Sequence, residues 1–274
     1  MGSCFSCTTP TIRLVALKFP NGTSGIEYQN EFVRCDINIW LRQLYENSNW
    51  LFWQVYNDET GHIGDNHHKK GHCKGIVAWN NKRISWLCHS VPNFPRTFEG
   101  NRISEIEPGE LIYGQSFQYI EIDYSLEMIR NILKQIRIME AQVYINTYML
   151  EFVKCKSKIS VLKLSDTITH FAKSPHHNID IYDYLCNKYN RTWKVESWIR
   201  GHKIEQTNTI VDITSLQFED IKWTESQDHS KWATTEHLYW IGDLNRMTSQ
   251  YKRGGGGFVC QDTNLALAFN KLII

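Results

Sequence analysis

The sequence predicts an α/β protein folded as one compact body, and three observations predict it. Apolar periodicity alternates along the chain between the two-residue repeat of strands and the 3.6-residue repeat of helices. No linker rich in Pro, Gly or Ser divides the chain. With 274 residues and 42% hydrophobic content there is enough apolar side chain for one sizeable core or two closely packed halves. The same figures exclude an intrinsically disordered chain and a collagen-like fibre.

The first expected strand covers residues 12–19. Asp36 then stands at the N-cap of a helix whose Ile37, Trp40, Leu41 and Leu44 share one face. Residues 50–56 read as the next strand, followed by a polar, His-rich loop at 57–71. Two β-branched or aromatic runs, 74–79 and 83–90, flank Asn80-Asn81-Lys82, a turn signal that predicts a hairpin. After a loop containing proline, a strand at 116–122 leads to a helix starting from Ser125, with Leu126, Ile129, Leu133 and Ile136 at helical spacing. The second half repeats the style. Strands are expected at 159–164, 193–198, 209–213, 238–243 and 257–260, and helices near 181–189 and 263–272.

Thirty basic residues against twenty-nine acidic ones give a net charge of +1, so bulk positive charge does not hold nucleic acid and any polyanion site is local. No apolar run approaches the roughly 20 residues of a membrane-spanning helix, and the stretch at 12–19 is broken by Arg13 and Lys18. A soluble protein is expected. The opening Met1-Gly2-Ser3-Cys4-Phe5-Ser6 lacks the apolar region of a signal peptide and fits the short myristoylation pattern, with Cys4 available for a second acyl chain. Eight cysteines, at 4, 7, 35, 73, 88, 155, 186 and 260, form no metal-type array, since Cys4 and Cys7 have no second pair at zinc spacing. Scattered buried thiols with a disulfide or two are expected. Asn21-Gly22-Thr23 and Asn190-Arg191-Thr192 are glycosylation sequons if the chain passes through the secretory route.

The tripeptide His-x-Lys occurs twice, as His72-Cys73-Lys74 at the head of a strand and His229-Ser230-Lys231 ahead of another. In a strand, residues i and i+2 project to one face, so each tripeptide aims an imidazole and an ammonium together, a pairing that suits a phosphate. Similar strings follow each: Trp86-Leu87-Cys88-His89-Ser90 and Trp240-Ile241-Gly242-Asp243-Leu244-Asn245-Arg246. Two histidines on a near-twofold site divide the work of phosphoryl transfer, one attacking phosphorus and the other protonating the departing oxygen.

Longer strings narrow the reading. Gly71-His-Cys-Lys-Gly75, Trp86-Leu-Cys-His-Ser-Val-Pro-Asn-Phe-Pro95, Tyr113-Gly-Gln115, Asp228-His-Ser-Lys-Trp232, Gly242-Asp-Leu-Asn-Arg246 and Arg253-Gly-Gly-Gly256 occur in this order. In them the sequence resembles the deoxyribonuclease II family of acid endonucleases over roughly the whole chain. The resemblance implies a phospholipase-D-like fold of two related α/β halves, residues 1–145 and 146–274, each carrying one His-x-Lys motif and meeting at one active site. It implies cleavage of DNA without metal or cofactor, leaving 3′-phosphate and 5′-hydroxyl ends, and a lysosomal or secreted setting. Carried over by position, His72 and Lys74 match the first catalytic motif, His229 and Lys231 the second, and His89 the histidine between them. One of His72 and His229 forms a phosphohistidine while the other donates a proton, and the two lysines hold the non-bridging oxygens. Asn245 is a further candidate for that task. A mixed protonation state of two imidazoles also implies an acidic optimum, and neighbouring lysines lower the imidazole values further.

The chain departs from the family where Ala233, Trp240 and Leu111 replace cysteines, so Cys260 lacks its usual partner. That erosion supports two rival expectations: a catalytically silent nuclease-like protein binding DNA or a host partner, and a phosphodiesterase of the same fold acting on lipid or oligonucleotide ends. A transition metal among His62, His67, His68, His72 and Cys73, a backbone phosphate contact at 254–257, and groove-lining basic residues at 69–70, 154–158 and Lys252-Arg253 rank lower.

Overall fold

The computed structural model describes residues 12–46, 49–59, 70–99, 102–148, 158–199, 204, 207 and 209–274. The N-terminal acylation pattern, Cys4, Cys7, Cys155, the histidines at 62, 67 and 68 and the lysines at 69, 154 and 156 lie outside them.

Side-chain caps start the helices where the sequence places them. Asp36 Oδ1 accepts the Ile39 N–H at 3.0 Å ahead of α1 (Ile37–Tyr45), and Ser125 Oγ accepts the Met128 N–H at 3.0 Å ahead of α2 (Leu126–Ile138). Asp180 and Asp262 do the same for α3 (Ile181–Tyr189) and α4 (Thr263–Lys271). The strands β1 (Ile12–Lys18), β2 (Ser24–Tyr28), β3 (Phe32–Asp36), β4 (Phe52–Asn57), β5 (Lys74–Trp79), β6 (Arg83–His89), β9 (Gln115–Asp123) and β10 (Val143–Asn146) form one sheet. Its order is β10-β4-β5-β6-β9-β1-β2-β3. A two-stranded pair, β7 (Phe98–Glu99) with β8 (Arg102–Ile103), lies in the β6–β9 connection. The second sheet has the order β11-β12-β19-β18-β17-β13-β14. Its members are β11 (Ile159–Lys163), β12 (Ile168–Lys173), β13 (Trp193–Ser197), β14 (Ile210–Asp212), β17 (Lys231–Thr234), β18 (Leu238–Gly242) and β19 (Gly255–Gln261). A hairpin of β15 (Ser215–Phe218) and β16 (Ile221–Thr224) precedes β17.

The two sheets repeat one topology. In the first, β4-β5-β6-β9-β1 are antiparallel neighbours, with α1 between β1 and β4 and α2 after β9. In the second, β13-β17-β18-β19-β12 are antiparallel neighbours, with α3 between β12 and β13 and α4 after β19. Strand alternation divides the apolar side chains between layers. Trp86, Cys88 and Ile120 of the first sheet share a central core with Trp232, Ile241 and Phe258 of the second and with the apolar faces of α2 and α4. Residues of opposite parity, such as Ile76, Leu87 and Phe117, pack under α1, while Phe171, Ala233 and Trp240 pack under α3. No helix among the described residues is long and apolar enough to cross a membrane. The five cysteines among them, Cys35, Cys73, Cys88, Cys186 and Cys260, are all free thiols rather than disulfides.

Two buried lysines at equivalent points in the repeat tie loops to the sheets. Lys18 ends β1 opposite Gln115, and its Nζ donates to the carbonyls of Phe19, Gly22 and Leu111 at 2.8, 2.9 and 2.7 Å. Lys173 ends β12 opposite Gly255, and its Nζ donates to those of Tyr251 and Arg253 at 2.8 and 2.6 Å. The tied loops lead into Tyr113 and Arg253. Replacing Lys18 by Met leaves three carbonyls without their donor, and the loss of one such partner costs about 1–3 kcal/mol. The Lys18→Met variant is expected to lose at least that much stability in urea denaturation.

Candidate active site

Each His-x-Lys tripeptide straddles the start of a strand. His72 precedes β5 and His229 precedes β17, while Lys74 and Lys231 are the first residues of those strands. Across the interface each histidine is held by a glycine of the other half. The His72 N–H donates to the Gly254 carbonyl at 2.7 Å and the His229 N–H to the Gly114 carbonyl at 2.9 Å. Glycine is required at both points by close approach: a Cβ on Gly254 would lie 2.0 Å from the Met139 carbonyl oxygen, and one on Gly114 would lie 2.6 Å from Asp228 Oδ1.

The two motifs act on each other electrostatically. Burial and then the Lys74 charge push the Lys231 ammonium down to about 8, against the opposing pull of Asp58 and Asp228. Burial also pushes the His72 imidazole down to about 3; Asp58 opposes this, while Lys74, Lys231 and Arg253 add to it. His72, Lys74 and Lys231 therefore share one electrostatic site. His72 Nδ1 lies 2.7 Å from the Asp243 carbonyl oxygen. A carbonyl only accepts, so the proton sits on Nδ1 and the Nε2 lone pair is left for chemistry.

Sequence reading passed over Asp58. It follows the β4 residue Asn57, which pairs with Lys74, and its Oδ1 accepts from Lys74 Nζ. Its Oδ2 accepts from Arg253 Nη2 at 2.9 Å, and Arg253 Nε donates to the Lys70 carbonyl at 2.7 Å. Burial alone would raise the Asp58 carboxyl, but Lys74, His72 and Arg253 reverse this and hold it well below the usual range. Burial likewise opposes the Lys74 charge, and Asp58 overcomes it, so the Lys74 pKa is raised. Among the described residues Lys231 has no such carboxylate on its Nζ, which donates instead to the His229 carbonyl.

His229 stacks on Tyr113, 3.8 Å away at an interplanar angle of 10°, and meets Trp198 on a neighbouring side at 4.1 Å and 50°, the two aromatic rings being 6.2 Å apart. His89 lies beside Lys74, one step from the Gly75–Cys88 pair of the β5–β6 ladder. Its Nδ1 accepts the Val91 N–H at 3.2 Å, so Nε2 carries the proton, and that buried donor has no hydrogen-bond partner among the described residues. Burial and the Lys74 charge push its pKa down to about 3. Asn245 is buried after β18, and its Oδ1 also has no hydrogen-bond partner among the described residues. It borders a small cleft with Asp180, Gln250 and Tyr251, without a hydrogen bond to either motif. Asp58, Glu59 and His72 place ligand atoms within 4.8 Å of one another, but the Asp58 oxygens already hold Lys74 and Arg253.

The sequence model of deoxyribonuclease II matches residues 27–274. The chain belongs to the deoxyribonuclease II family. It is 28% identical to Cell-death-related nuclease 7 of Caenorhabditis elegans over 257 residues, covering 81% of this chain and 68% of that protein. It is 28% identical to Deoxyribonuclease-2-alpha of Sus scrofa over 265 residues, covering 85% and 72%. It is 29% identical to a putative deoxyribonuclease-2 of Burkholderia pseudomallei (strain 1710b) over 265 residues, covering 81% and 71%.

Two substitutions probe the charges of this deoxyribonuclease II site. Asp58→Asn removes the carboxylate that raises both the Lys74 and the Lys231 ammonium, so the high-pH limb of activity, where Lys231 loses its proton, is expected to move down by about one pH unit. A pH–rate profile of the variant against wild type checks this. Glu196, in the middle of β13, is fully buried, and neither of its carboxylate oxygens has a hydrogen-bond partner among the described residues. Burial, with Asp228 and Glu225 nearby, pushes its pKa well above the ordinary value. The folded state keeps this proton where the unfolded chain releases it near about 4.3, so the stabilising effect is fully present below that pH. It is lost as pH rises through the folded value. Glu196→Gln is therefore expected to raise the thermal midpoint more at about pH 7 than at about pH 4.

Proposed function

We propose that this deoxyribonuclease II-type enzyme is an acid endonuclease that hydrolyses DNA without metal, with His72 as nucleophile and His229 as general acid. The observation that carries the assignment is the hydrogen bond from His72 Nδ1 to the Asp243 carbonyl, which leaves Nε2 as the lone-pair nitrogen. The low pKa of His72 keeps it neutral in mild acid, so the attacking atom needs no deprotonation.

In the first step Nε2 attacks phosphorus and the P–O5′ bond breaks. Its electron pair goes to O5′, which takes a proton from His229, leaving a 3′-phosphoryl group on His72. In the second step the now neutral His229 removes a proton from water, water oxygen bonds to phosphorus, and the P–N bond breaks with its pair returning to His72. The products are 3′-phosphate and 5′-hydroxyl ends. Lys74 and Lys231 stand against the non-bridging oxygens, where charge grows in the five-coordinate transition state. The buried His89 Nε2–H is a further donor beside Lys74. Asn245 is kept as a candidate for the same task through its buried carboxamide. The two-half topology supports a phospholipase-D-like fold with residues 1–145 and 146–274 as its halves.

The charge states set a pH window. His72 is neutral above about 3, Asp243 is pushed up to about 7 by burial, and Lys231 loses its proton near about 8. Between the first two values the attacking nitrogen is free and the cradle is at its most positive. An acidic compartment, lysosomal or secreted, suits that window.

Supercoiled plasmid is expected to be nicked at about pH 5 in excess chelator, with His72→Ala abolishing the activity. End-group analysis is expected to find 3′-phosphates. Strict dependence on Mg²⁺, or 5′-phosphate ends, would overturn the mechanism.

A further inference from the structure

The repeated topology makes the surroundings of the two histidines comparable residue by residue. Asn57 pairs with Lys74 and Ser197 pairs with Lys231, so Asp58 and Trp198, the next residues, occupy equivalent positions. Lys18 pairs with Gln115 and Lys173 with Gly255, so Tyr113 and Arg253, each two residues earlier, are also equivalent. The backbone confirms the match, because the glycine between each pair accepts the N–H of the histidine it serves. Chemically the equivalence is broken at both points. His72 has a carboxylate and a guanidinium where His229 has an indole and a phenol ring.

We propose that Tyr113 and Trp198 are positioning residues that clamp the His229 ring and favour its protonated form, thereby making it the proton donor to the leaving oxygen. This rests on the reading of His72 as nucleophile and His229 as acid. A ring 3.8 Å away and 10° from parallel restricts rotation of the imidazole about its Cβ–Cγ bond. Trp198 closes on the same imidazole at 50°, and the two clamping rings are 6.2 Å apart. The faces of aromatic rings carry negative potential, so an imidazolium stacked on Tyr113 is held more strongly than a neutral ring, and Trp198 limits its movement from the side. No such ring contact surrounds His72 among the described residues; burial, Lys74 and Arg253 disfavour an imidazolium there and outweigh the opposing Asp58. The clamp thus acts on the step in which P–O5′ breaks, the electron pair moves to O5′ and the His229 proton follows it.

Leaving-group chemistry tests this. Thymidine 3′-(4-nitrophenyl phosphate) releases 4-nitrophenolate, which departs without needing a proton, whereas a DNA 5′-oxygen needs one. Tyr113→Leu and Trp198→Leu are expected to lower kcat on DNA by about tenfold or more while changing kcat on the nitrophenyl ester by less than about threefold. Tyr113→Phe, which keeps the ring, is expected to retain DNA cleavage. Equal losses on both substrates would reduce the rings to structural packing, and no loss on DNA would remove them from the reaction; either result overturns the proposal. His72→Ala is expected to abolish turnover of both substrates. If it spares the nitrophenyl ester, the nucleophile assignment itself fails, an outcome distinct from failure of the clamp.

Discussion

Burying several cations around one point is the constraint on which this structure depends. Lys74, Lys231 and Arg253 are gathered by two different halves, and low-dielectric surroundings would discharge or separate them without compensation. Asp58 supplies it for two of the three, taking Lys74 on one oxygen and Arg253 on the other. Among the described residues Lys231 has a carbonyl rather than a carboxylate on its ammonium, and its proton is correspondingly easier to lose. The balance is incomplete around Lys231, and under the proposed mechanism a phosphodiester anion would complete it. A second carboxylate beside Lys231 would make the empty protein more comfortable and the bound phosphate less so.

The imbalance can be tolerated because the halves interlock at the site itself. Each histidine amide donates to a glycine carbonyl of the opposite half, and the Asp243 carbonyl fixes the His72 ring across the same boundary. Asp243 also takes the N–H groups of Lys74 and Gly256 on its two oxygens, at 3.3 Å each. The equivalent place in the other half uses a hydroxyl: Ser90 Oγ accepts the Ser116 N–H at 2.9 Å. Neither half builds a complete set of these bonds alone. Catalytic geometry and the sheet–sheet core are therefore one structural problem, and loss of packing between the sheets would disperse the charges as well.

How much of this is legible in the sequence depends on whether the signal is local. α1 and α2 are legible because a cap and an apolar stripe lie within one short segment. β12 is not: Ile168-Thr-His-Phe-Ala-Lys173 looks half polar, yet His170 stacks 4.3 Å from Trp86 and Lys173 is buried on loop carbonyls. Its polar residues are core residues with satisfied partners, which no periodicity reveals. β17 escapes for another reason, being only four residues long. The two His-x-Lys motifs are legible because each is three residues long and occurs twice. Asp58 is hidden in a polar stretch well before Lys74, and Trp198 resembles ordinary strand core. Only strand register shows that these two occupy the same place in the repeat.

The buried acids extend the same electrostatic logic from the site to the fold. Asp243 and Glu196 are both held protonated by burial in mild acid, one touching the first motif and the other on the strand beside the second. Ionising either at neutral pH places a negative charge where water cannot reach it. For Asp243 that charge also lies next to His72 and Lys74, so it weakens the positive field of the proposed phosphate site. For Glu196 the penalty falls on folding, because its oxygens have no hydrogen-bond donors within reach among the described residues. An apolar residue of similar size at Glu196 would serve packing better at neutral pH. A buried acid there is consistent with a fold working where the carboxyl stays neutral, and it separates two effects of acidity, one on the charge of the cradle and one on the stability of the sheet beneath it.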